Sequence, residues 1–512
     1  MKPGQKKRGK HLRVTSHISA KKKHDGIALL ALVIALALTF SVYYFSSVSL
    51  VNIQVDNQQD TRIALKQAKQ ALLSYTMIRS DLTDPTIQLG KYGYLPCPAD
   101  YNGEGNSVGV CEAVKENALG WFPWRSLGVS PLKDGNGDCL LYAVSSSYKF
   151  NPIAGMLNED TNGMFQIVDE AGTTIAGANP EDRVVAVVFS AGNALVGQNR
   201  LYDPNTECGN DVGNFSAYLD AFGIIADNST ITTGTEDVID QFVKADTSIN
   251  KNIINDHFIT ITREEVWKTI MLRSDIKDRL NEVTEALALC MAEYVNDAAN
   301  VNKRFPWPSS MNLAGGDYRA MINYSDVLDA AEGYAGRFPY HVDDSNGAIG
   351  GGVNDLLIDD TICNNLDISA AGAPNVDLTD ITSLHRRLLD NWKDHFFYAV
   401  SKKYALEDGV PPTAAYTGCS LPAPGDCVSV NGPEYAAVIF FSNSPYRNAP
   451  ELQSRNIVDK PDISNYLENG NDAIFTGACG NDAFNPVNPI LSNDVMFCLT
   501  DSAVPTVVPC SS

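Results

Sequence analysis

A chain of 512 residues exceeds one ordinary domain, so its length predicts two or three hydrophobic cores. Hydrophobic residues make up 44% of the chain and charged residues 20%, a composition that excludes a disordered protein. The formal net charge is −22, yet nine of the 39 Lys and Arg residues and only one of the 61 acids precede Gly26. The body after Gly26 is therefore strongly acidic. This argues against a nucleic-acid partner, because phosphate contacts need clustered cations.

The first predicted element is a long helix that follows a basic leader, residues 1–26. No charged residue occurs from Gly26 to Val55, and Ile27–Leu50 is long enough to supply the ~20 apolar residues that cross a bilayer. A removable signal peptide has an apolar region of only roughly 7–15 residues. The pattern therefore predicts a transmembrane helix over 27–50, with the leader in the cytoplasm and the acidic body in the periplasm. The expected location is the inner (cytoplasmic) membrane, crossed once, with the lipid bilayer as a partner.

The helical pattern continues beyond the apolar run, because no Pro or Gly occurs from Ile27 to Ile78. An amphipathic stripe follows at helical spacing, at Ile63, Ala64, Ala68, Ala71, Leu72 and Tyr75. These residues predict one continuous helix, on the order of 75 Å long. Its second half needs a globular layer to cover the stripe.

Several stretches carry a family resemblance. They are the basic leader with its glycine, LKQAKQALLSYTMIRSD at Leu65–Asp81, and the shorter YLPCPA, GWFPWRSLG and CLLYAVS. With the two-part helix, they resemble type IV pilin-like proteins, and in particular a bacterial group of exported pseudopilin-like proteins. The resemblance implies that a prepilin peptidase cuts between Gly26 and Ile27 and methylates the new N-terminus. It also implies that other pilin-like subunits are partners.

One position departs from the family. Most pilins carry Glu at the fifth mature position, where it neutralises the N-terminal amine of a neighbouring subunit. Ala31 stands there in this chain, and an unpaired buried amine is costly. A subunit with nothing above it in a filament does not need that carboxylate, so the resemblance is to a minor or tip-type subunit. The alternative is that Gly26 is incidental and the helix is never cut.

The rest of the chain contains an internal repeat. Short landmarks occur twice in the same order: LPCP and FPWP, LYAVSSSY and FYAVSKKY, AVVFS and VIFFS, QNR and QSR, AYLD and NYLE, and DHFITIT and DVMFCLT. The repeat predicts a first domain over 51–272 and a second over 273–512. The second copy has its own amphipathic helix, Asp275–Ala299, with a stripe at Ile276, Leu280, Val283, Leu287, Met291 and Tyr294.

Each copy is expected to fold as one helix followed by short apolar strands. The predicted strands cover 140–145, 184–190, 257–262, 396–401, 436–441 and 494–499. A helix laid on a small sheet buries its stripe and one sheet face. The expected fold class is α+β: a long N-terminal transmembrane and amphipathic helix packed on a small antiparallel sheet, with this pilin-like unit duplicated.

The eleven cysteines all follow the apolar run, and no CxxC pair occurs. This pattern favours disulfide bonds in an oxidising compartment over a zinc site. Three local pairs are candidates: Cys97 with Cys111, Cys419 with Cys427, and Cys479 with Cys498. Because the number of cysteines is odd, disulfide bonds within the chain would leave at least one thiol unpaired.

Few motifs in the sequence indicate a catalytic site or a binding site for a metal or cofactor. The sequence has no HExxH spacing, no G-x-S-x-G turn and no phosphate loop, and it predicts neither an enzyme nor a bound cofactor apart from calcium. In LKDGNGDCL, Asp134, Asn136 and Asp138 alternate as in the first half of a calcium loop, but no bidentate Glu follows at the required spacing. The same residues also form tight turns, so calcium and a simple turn are alternative interpretations.

These observations together predict a non-enzymatic, membrane-anchored pilin-like subunit. It would act in the assembly of a type IV pilus or a type II secretion pseudopilus, in a minor or tip position. The alternative is an uncleaved single-pass envelope protein whose duplicated exported domain binds an extracellular ligand or surface.

Overall fold

A computed structural model describes the chain in segments. They are residues 24–78, 91–99, 104–153, 155–200, 207–208, 214–246, 249–250, 252–298, 300, 303–326, 334–343, 353–355, 362–370, 375–405, 428–430, 433–445, 453–468, 471, 483–484 and 493–510.

The α-helices of the described segments are α1 His24–Ile78, α2 Arg263–Met271, α3 Ser274–Asn296 and α4 Leu384–Trp392. A capping box starts α2, because the Thr262 side chain accepts from the Glu265 backbone N–H and the Glu265 carboxylate accepts from that of Thr262. Ser383 caps α4 by accepting from the backbone N–H of Arg386. These local hydrogen bonds satisfy N–H groups that the helices themselves leave without a partner.

The first sheet contains seven strands: β1 Ala118–Trp121, β2 Leu141–Val144, β3 Phe165–Val168, β4 Thr174–Ala176, β5 Val184–Ser190, β8 Asp240–Val243 and β9 His257–Thr262. Their order is β1-β2-β5-β3-β4, with β8 beside β3 and β9 beside β5. The β3–β8 pair is parallel and the other pairs are antiparallel. A separate two-stranded ribbon joins β6 Ala221–Phe222 to β7 Ala226–Asp227.

The second sheet also contains seven strands: β10 Ala335–Arg337, β13 Phe396–Val400, β14 Val428–Val430, β15 Glu434–Phe441, β16 Ala483–Phe484, β17 Val495–Thr500 and β18 Val507–Pro509. Their order is β10-β13-β15-β14-β16, with β17 beside β15 and β18 beside β17. The β14–β16 pair is parallel. A separate ribbon joins β11 His341–Asp343 to β12 Val353–Asp355.

The two sheets have the same central topology. The path β1-β2-β5-β3, with β8 on β3, corresponds to β10-β13-β15-β14, with β16 on β14. β9 and β17 take equivalent places, each antiparallel to the central strand, and both pairings shift register near the start of that strand. Only β4 and β18 have no counterpart among these strands. We call the described residues 91–271 the first module and the described residues 274–510 the second module.

The amphipathic helix α3 packs as its stripe predicts, whereas α1 does so only in part. All six stripe residues of α3 are almost fully buried, and α3 packs against β15 and β17. Near the end of α1, Ala64, Ala68 and Leu72 are buried in the main core. Ile63 is 45% exposed, however, and Leu65 is buried instead, so the predicted α1 stripe is displaced at its start.

The expected fold class is wrong in two respects. Neither sheet is small or purely antiparallel, because each has seven strands and one parallel pair. In addition, across the segments described above, none of the helices combines the length and the apolar character that crossing a membrane requires. This contradicts the transmembrane helix predicted over 27–50, the single-pass location in the inner membrane and the periplasmic placement of the body.

The absence of charge does not by itself make every residue of 27–50 apolar. Residues 27–38 carry no polar side chain, but hydroxyl groups recur at positions 39, 41, 43, 44, 46, 47 and 49. Insertion into hydrocarbon depends on the summed transfer free energy of all the side chains, and the hydroxyl groups make this sum less favourable.

Residues Thr61–Ser512 form one compact unit, and Met1–Asp60 form another. Both modules belong to the larger unit. The domain limits 51–272 and 273–512 stay a prediction.

Candidate functional site

Buried ionisable groups of both modules meet in the interior of the larger unit. All of them are less than a tenth exposed. We call this set the charge cluster: Glu159 and Asp160 of the first module, and Asp394, His395, Arg455 and Lys460 of the second.

The charge cluster is centred on Asp160. Its Oδ2 atom lies 3.1 Å from His395 Nε2 and 3.5 Å from Lys460 Nζ. Lys460 also forms an ion pair with Asp394, so one ammonium group contacts a carboxylate from each module. On its other side, the His395 ring places Nδ1 3.0 Å from the backbone carbonyl of Ser442.

Local sequence explains why Asp394 and His395 are buried. They lie in a 3₁₀ turn, Lys393–His395, between the end of α4 and strand β13. All five residues of β13 are buried, so the turn that leads into it also lies in the interior. The Trp392 ring packs edge-on against the imidazole of His395 at a centroid distance of 4.8 Å.

Lys460 and His395 stabilise the ionised form of both aspartates. Burial by itself raises the pKa of Asp160, but His395 and Lys460 outweigh it and hold the pKa of Asp160 well below its usual range. Burial alone would also raise the pKa of Asp394, but Lys460 and His395 lower it. In return, Asp394 raises the pKa of Lys460, although burial alone would lower it.

Glu159 behaves differently. Burial is the largest influence on this carboxyl and raises its pKa, although the Arg455 guanidinium opposes the shift. The Arg455 Nη1 atom is 3.7 Å from Glu159 Oε1, farther than in a direct hydrogen bond. Glu159 is therefore more easily protonated than Asp160, its neighbour in sequence.

Asp160, Asp394 and His395 could in principle bind a metal ion, since their ligand atoms lie within 4.8 Å of one another. The Lys460 ammonium already contacts both carboxylates, however, and Arg455 lies close by. A divalent cation would be repelled strongly by these groups in the low-dielectric interior. The arrangement fits an ion-pair network between the modules better than a metal centre.

Uncharged contacts surround the cluster and also join the modules. The backbone N–H of Leu157 donates to Asn391 Oδ1 at 3.1 Å, and Asn158 Nδ2 donates to the Asn391 carbonyl at 2.9 Å. Trp267 of α2 meets Trp392 of α4 edge-to-face at 5.7 Å. The contact between modules is thus specific and contains both polar and aromatic pairs.

The repeated landmarks QNR and QSR have equivalent structural roles. Arg200 and Arg455 stack over the rings of Tyr218 and Tyr466, at 5.3 and 4.8 Å from the centroids. Each arginine donates from Nε to the carbonyl of the residue before that tyrosine. Each also donates from Nη2 to the glutamine two residues before it. Cation–π and hydrogen-bond contacts therefore account for both landmarks.

The predicted calcium residues Asp134, Asn136 and Asp138 lie in a turn before β2. Asp134 Oδ1 accepts from the backbone N–H groups of Asn136 and Asp138, at 2.9 and 3.1 Å. Asp134 Oδ2 accepts from the Ser190 hydroxyl at 2.7 Å, and Asp138 forms an ion pair with Arg200. These contacts are the ones expected of residues that form and support a tight turn. Calcium binding by these residues stays a prediction.

The predicted processing site, Gly26 and Ile27, lies within the first turn of α1. The cleavage itself stays a prediction.

Four disulfide bonds occur within the described residues: Cys97–Cys111, Cys139–Cys208, Cys290–Cys363 and Cys498–Cys510. The first of these is a predicted pair. The predicted pairing of Cys498 with Cys479 is wrong, because the β17–β18 hairpin brings Cys510 next to Cys498. Cys419, Cys427 and Cys479 lie outside the described residues.

Sequence reasoning missed the charge cluster. Asp160 is separated from Lys460 by 300 positions, and neither belongs to a recognisable motif. One local signal was present, since the charged triplet Lys393-Asp394-His395 immediately precedes the apolar strand sequence FFYAV. Charged residues that immediately precede a fully apolar strand are expected to be buried with it and to need polar partners there. The sequence does not identify those partners.

Comparisons of the chain with family models, curated proteins and solved structures find no match.

Proposed function

We propose that this chain is a non-enzymatic, pilin-like subunit that acts in the assembly of a type IV pilus or a type II secretion pseudopilus, in a minor or tip position. The observation that carries the proposal is α1, which begins two residues before Gly26 and continues to Ile78 as one helix of 55 residues. A cut after Gly26 would place the new N-terminus in the first turn of this helix. Near its other end, Ala68 and Leu72 are fully buried in the core.

The doubled body supports a low-copy position. Two modules of matching topology belong to one compact unit, and the charge cluster joins them. A body of two modules is too bulky to repeat easily along the closely packed shaft of a filament. Ala31 at the fifth mature position also suits a subunit with no neighbour above it.

Pairing of the buried ionisable groups supports a structural role rather than catalysis. Asp160 and Asp394 are engaged with Lys460 and His395, away from solvent. His385 of α4 lies 2.7 Å from Glu282 of α3, and both side chains are mostly buried. A catalytic acid or base must reach a substrate, whereas these groups contact one another.

Intact mass spectrometry tests the proposal. The full chain is produced with and without an active prepilin peptidase. We expect the peptidase to remove residues 1–26 and to leave a methyl group on Ile27. The variant Gly26→Leu should keep its leader under the same conditions, because the family peptidase needs the small residue at the cut.

Gly9→Leu is the matched control, since it makes the same change within the leader and should be cut normally. A wild-type chain that keeps its leader beside an active peptidase would contradict the proposal. So would equal cutting of the Gly26→Leu variant.

A further inference from the structure

The charge cluster holds an amine and a carboxyl group in direct contact inside the protein. Lys460 Nζ donates to Asp394 Oδ2, and the two residues are 7% and 0% exposed. Along the chain they are 66 positions apart. Two groups held together in this way have a very high effective concentration relative to each other, which favours a reaction between them.

One arginine fixes the backbone of both residues. Arg337 donates from Nη1 to the carbonyl of Asp394 at 2.5 Å and from Nη2 to the carbonyl of Lys460 at 2.7 Å. Arg337 is itself fully buried, and its guanidinium lies over the rings of Tyr318 and Tyr466. These contacts keep Lys460 and Asp394 side by side, so little further entropy is lost when their side chains react.

The Asp394 carboxyl group is polarised at its other oxygen. Asn158 Nδ2 of the first module donates to Asp394 Oδ1 at 2.9 Å. An attack of Lys460 Nζ on the carboxyl carbon, Cγ, would place negative charge on Oδ1, and a fixed N–H donor stabilises such a charge. Oδ2, the oxygen that contacts Lys460, is then the atom that can leave.

Asp160 of the first module is placed to move protons. Its Oδ2 atom lies 3.5 Å from Lys460 Nζ. Although burial alone would raise the pKa of Asp160, His395 and Lys460 hold it well below its usual range. Asp160 is therefore an ionised carboxylate, the form that accepts a proton. After a reaction at Lys460 it would keep His395 as a partner, at 3.1 Å.

Burial favours a neutral product over the ion pair. In water, a free amine and a free carboxylic acid remain ions because water solvates both charges. The Lys460 and Asp394 side chains have lost that hydration, which is costly for each charge. Formation of an amide removes both charges at once, so desolvation drives the two groups toward condensation.

We infer that Lys460 and Asp394 condense to an isopeptide bond, with Asp160 as the base. One Nζ proton moves to Asp394 Oδ2 along their contact, and the neutral amine then bonds to Cγ. Asp160 takes a second proton from Nζ and passes it to Oδ2, whose bond to Cγ breaks. The products are one amide, one water molecule and Asp160 in its original ionised form.

The first module has the same position without the reactive partner. Asp138 precedes the landmark LYAV by three residues, as Asp394 precedes FYAV, but its ion-pair partner is Arg200. A guanidinium stays protonated and is a poor nucleophile. The bond is therefore expected in the second module alone, where it would restrict the unfolded chain and so stabilise the folded one. This inference does not depend on the proposed assembly role.

Intact mass spectrometry of the full chain tests the inference. The chain is produced without a prepilin peptidase and measured after denaturation and reduction of its disulfide bonds. We expect the wild-type chain to be lighter than its sequence mass by one water molecule. A chymotryptic digest should contain a branched peptide in which Lys460 and Asp394 are joined. Lys460→Arg should restore the full mass, because a guanidinium keeps the charge but does not condense.

Lys393→Arg is the matched control, since Lys393 is also a buried lysine and lies next to Asp394. This variant should keep the branched peptide. Asp160→Asn removes the base and should slow condensation about a hundredfold or more, followed as the cross-linked fraction over time after cell-free synthesis. Circular dichroism checks that this variant is folded.

A wild-type chain at its full sequence mass would overturn the inference, and this measurement does not depend on the folding of any variant. A missing water that persists in Lys460→Arg would come from another dehydration and would also overturn it. Condensation of folded Asp160→Asn at the wild-type rate would overturn the assignment of Asp160 as the base.

Discussion

At the scale of single residues, Asp256 shows how a buried acid connects pH to stability. It is 6% exposed, and its Oδ2 atom accepts from the backbone N–H of Asp220 and from Asn228 Nδ2. Burial raises the pKa of Asp256 well above its usual value, and the Asp220 carboxylate raises it further. The folded chain therefore holds a proton that the unfolded chain releases. Stability falls as pH rises from the usual pKa of Asp toward the raised one.

We predict that Asp256→Asn flattens this pH dependence. The amide keeps an acceptor for the two N–H groups and carries no charge that must be desolvated. Urea denaturation at about pH 5 and about pH 8 should show a smaller loss of stability for the variant than for the wild type. Asp278→Asn, an exposed site on α3, should keep the wild-type slope. An equal slope in both variants would show that Asp256 does not carry the effect.

At the scale of elements, α3 stabilises the second module through one face. Leu287 on the buried face is fully inaccessible, whereas Lys277 on the other face is exposed. We predict that Leu287→Ala costs about 2–5 kcal/mol of unfolding free energy, because it removes buried contacts and leaves a cavity. Lys277→Ala should cost within about 0.5 kcal/mol, as is usual for exposed positions. Chemical denaturation measures both, and equal losses would mean that the buried face is not the stabilising one.

At the scale of the whole molecule, the charge cluster joins the two modules through ion pairs between buried side chains. Asp160 has a lowered pKa, so its contribution to stability is present above the usual pKa of Asp and is lost as pH falls through the lowered one. The network is therefore intact at neutral pH. Asp160→Asn leaves Lys460 and His395 without their charged partner from the other module.

We predict that Asp160→Asn costs about 3–5 kcal/mol, the usual effect of breaking a buried ion pair. Scanning calorimetry should show one transition for the compact unit of the wild type and two for the variant, because the modules then separate before each unfolds. Glu264→Gln, an exposed site of the first module, is the control and should leave one transition. If the variant still unfolds in a single transition, other contacts between the modules carry the coupling.

Local patterns in the sequence determined several elements of this protein. The strands predicted over 184–190 and 257–262 are β5 and β9 with the same limits, and every residue of the predicted α3 stripe is buried. Apolar runs and helical spacing act between near neighbours, so they are readable without knowledge of the fold. The same kind of pattern was misleading over 27–50, where the length of the uncharged, apolar run predicted a membrane span.

Only the tertiary structure decided which distant residues meet. The parallel pairs β3–β8 and β14–β16, the Cys290–Cys363 bond and the charge cluster each join segments that are far apart along the chain. A sequence pattern indicates that a side chain must be buried or paired, but it does not name the partner. The partner depends on how the sheets and helices pack, because only packing brings such groups within contact distance.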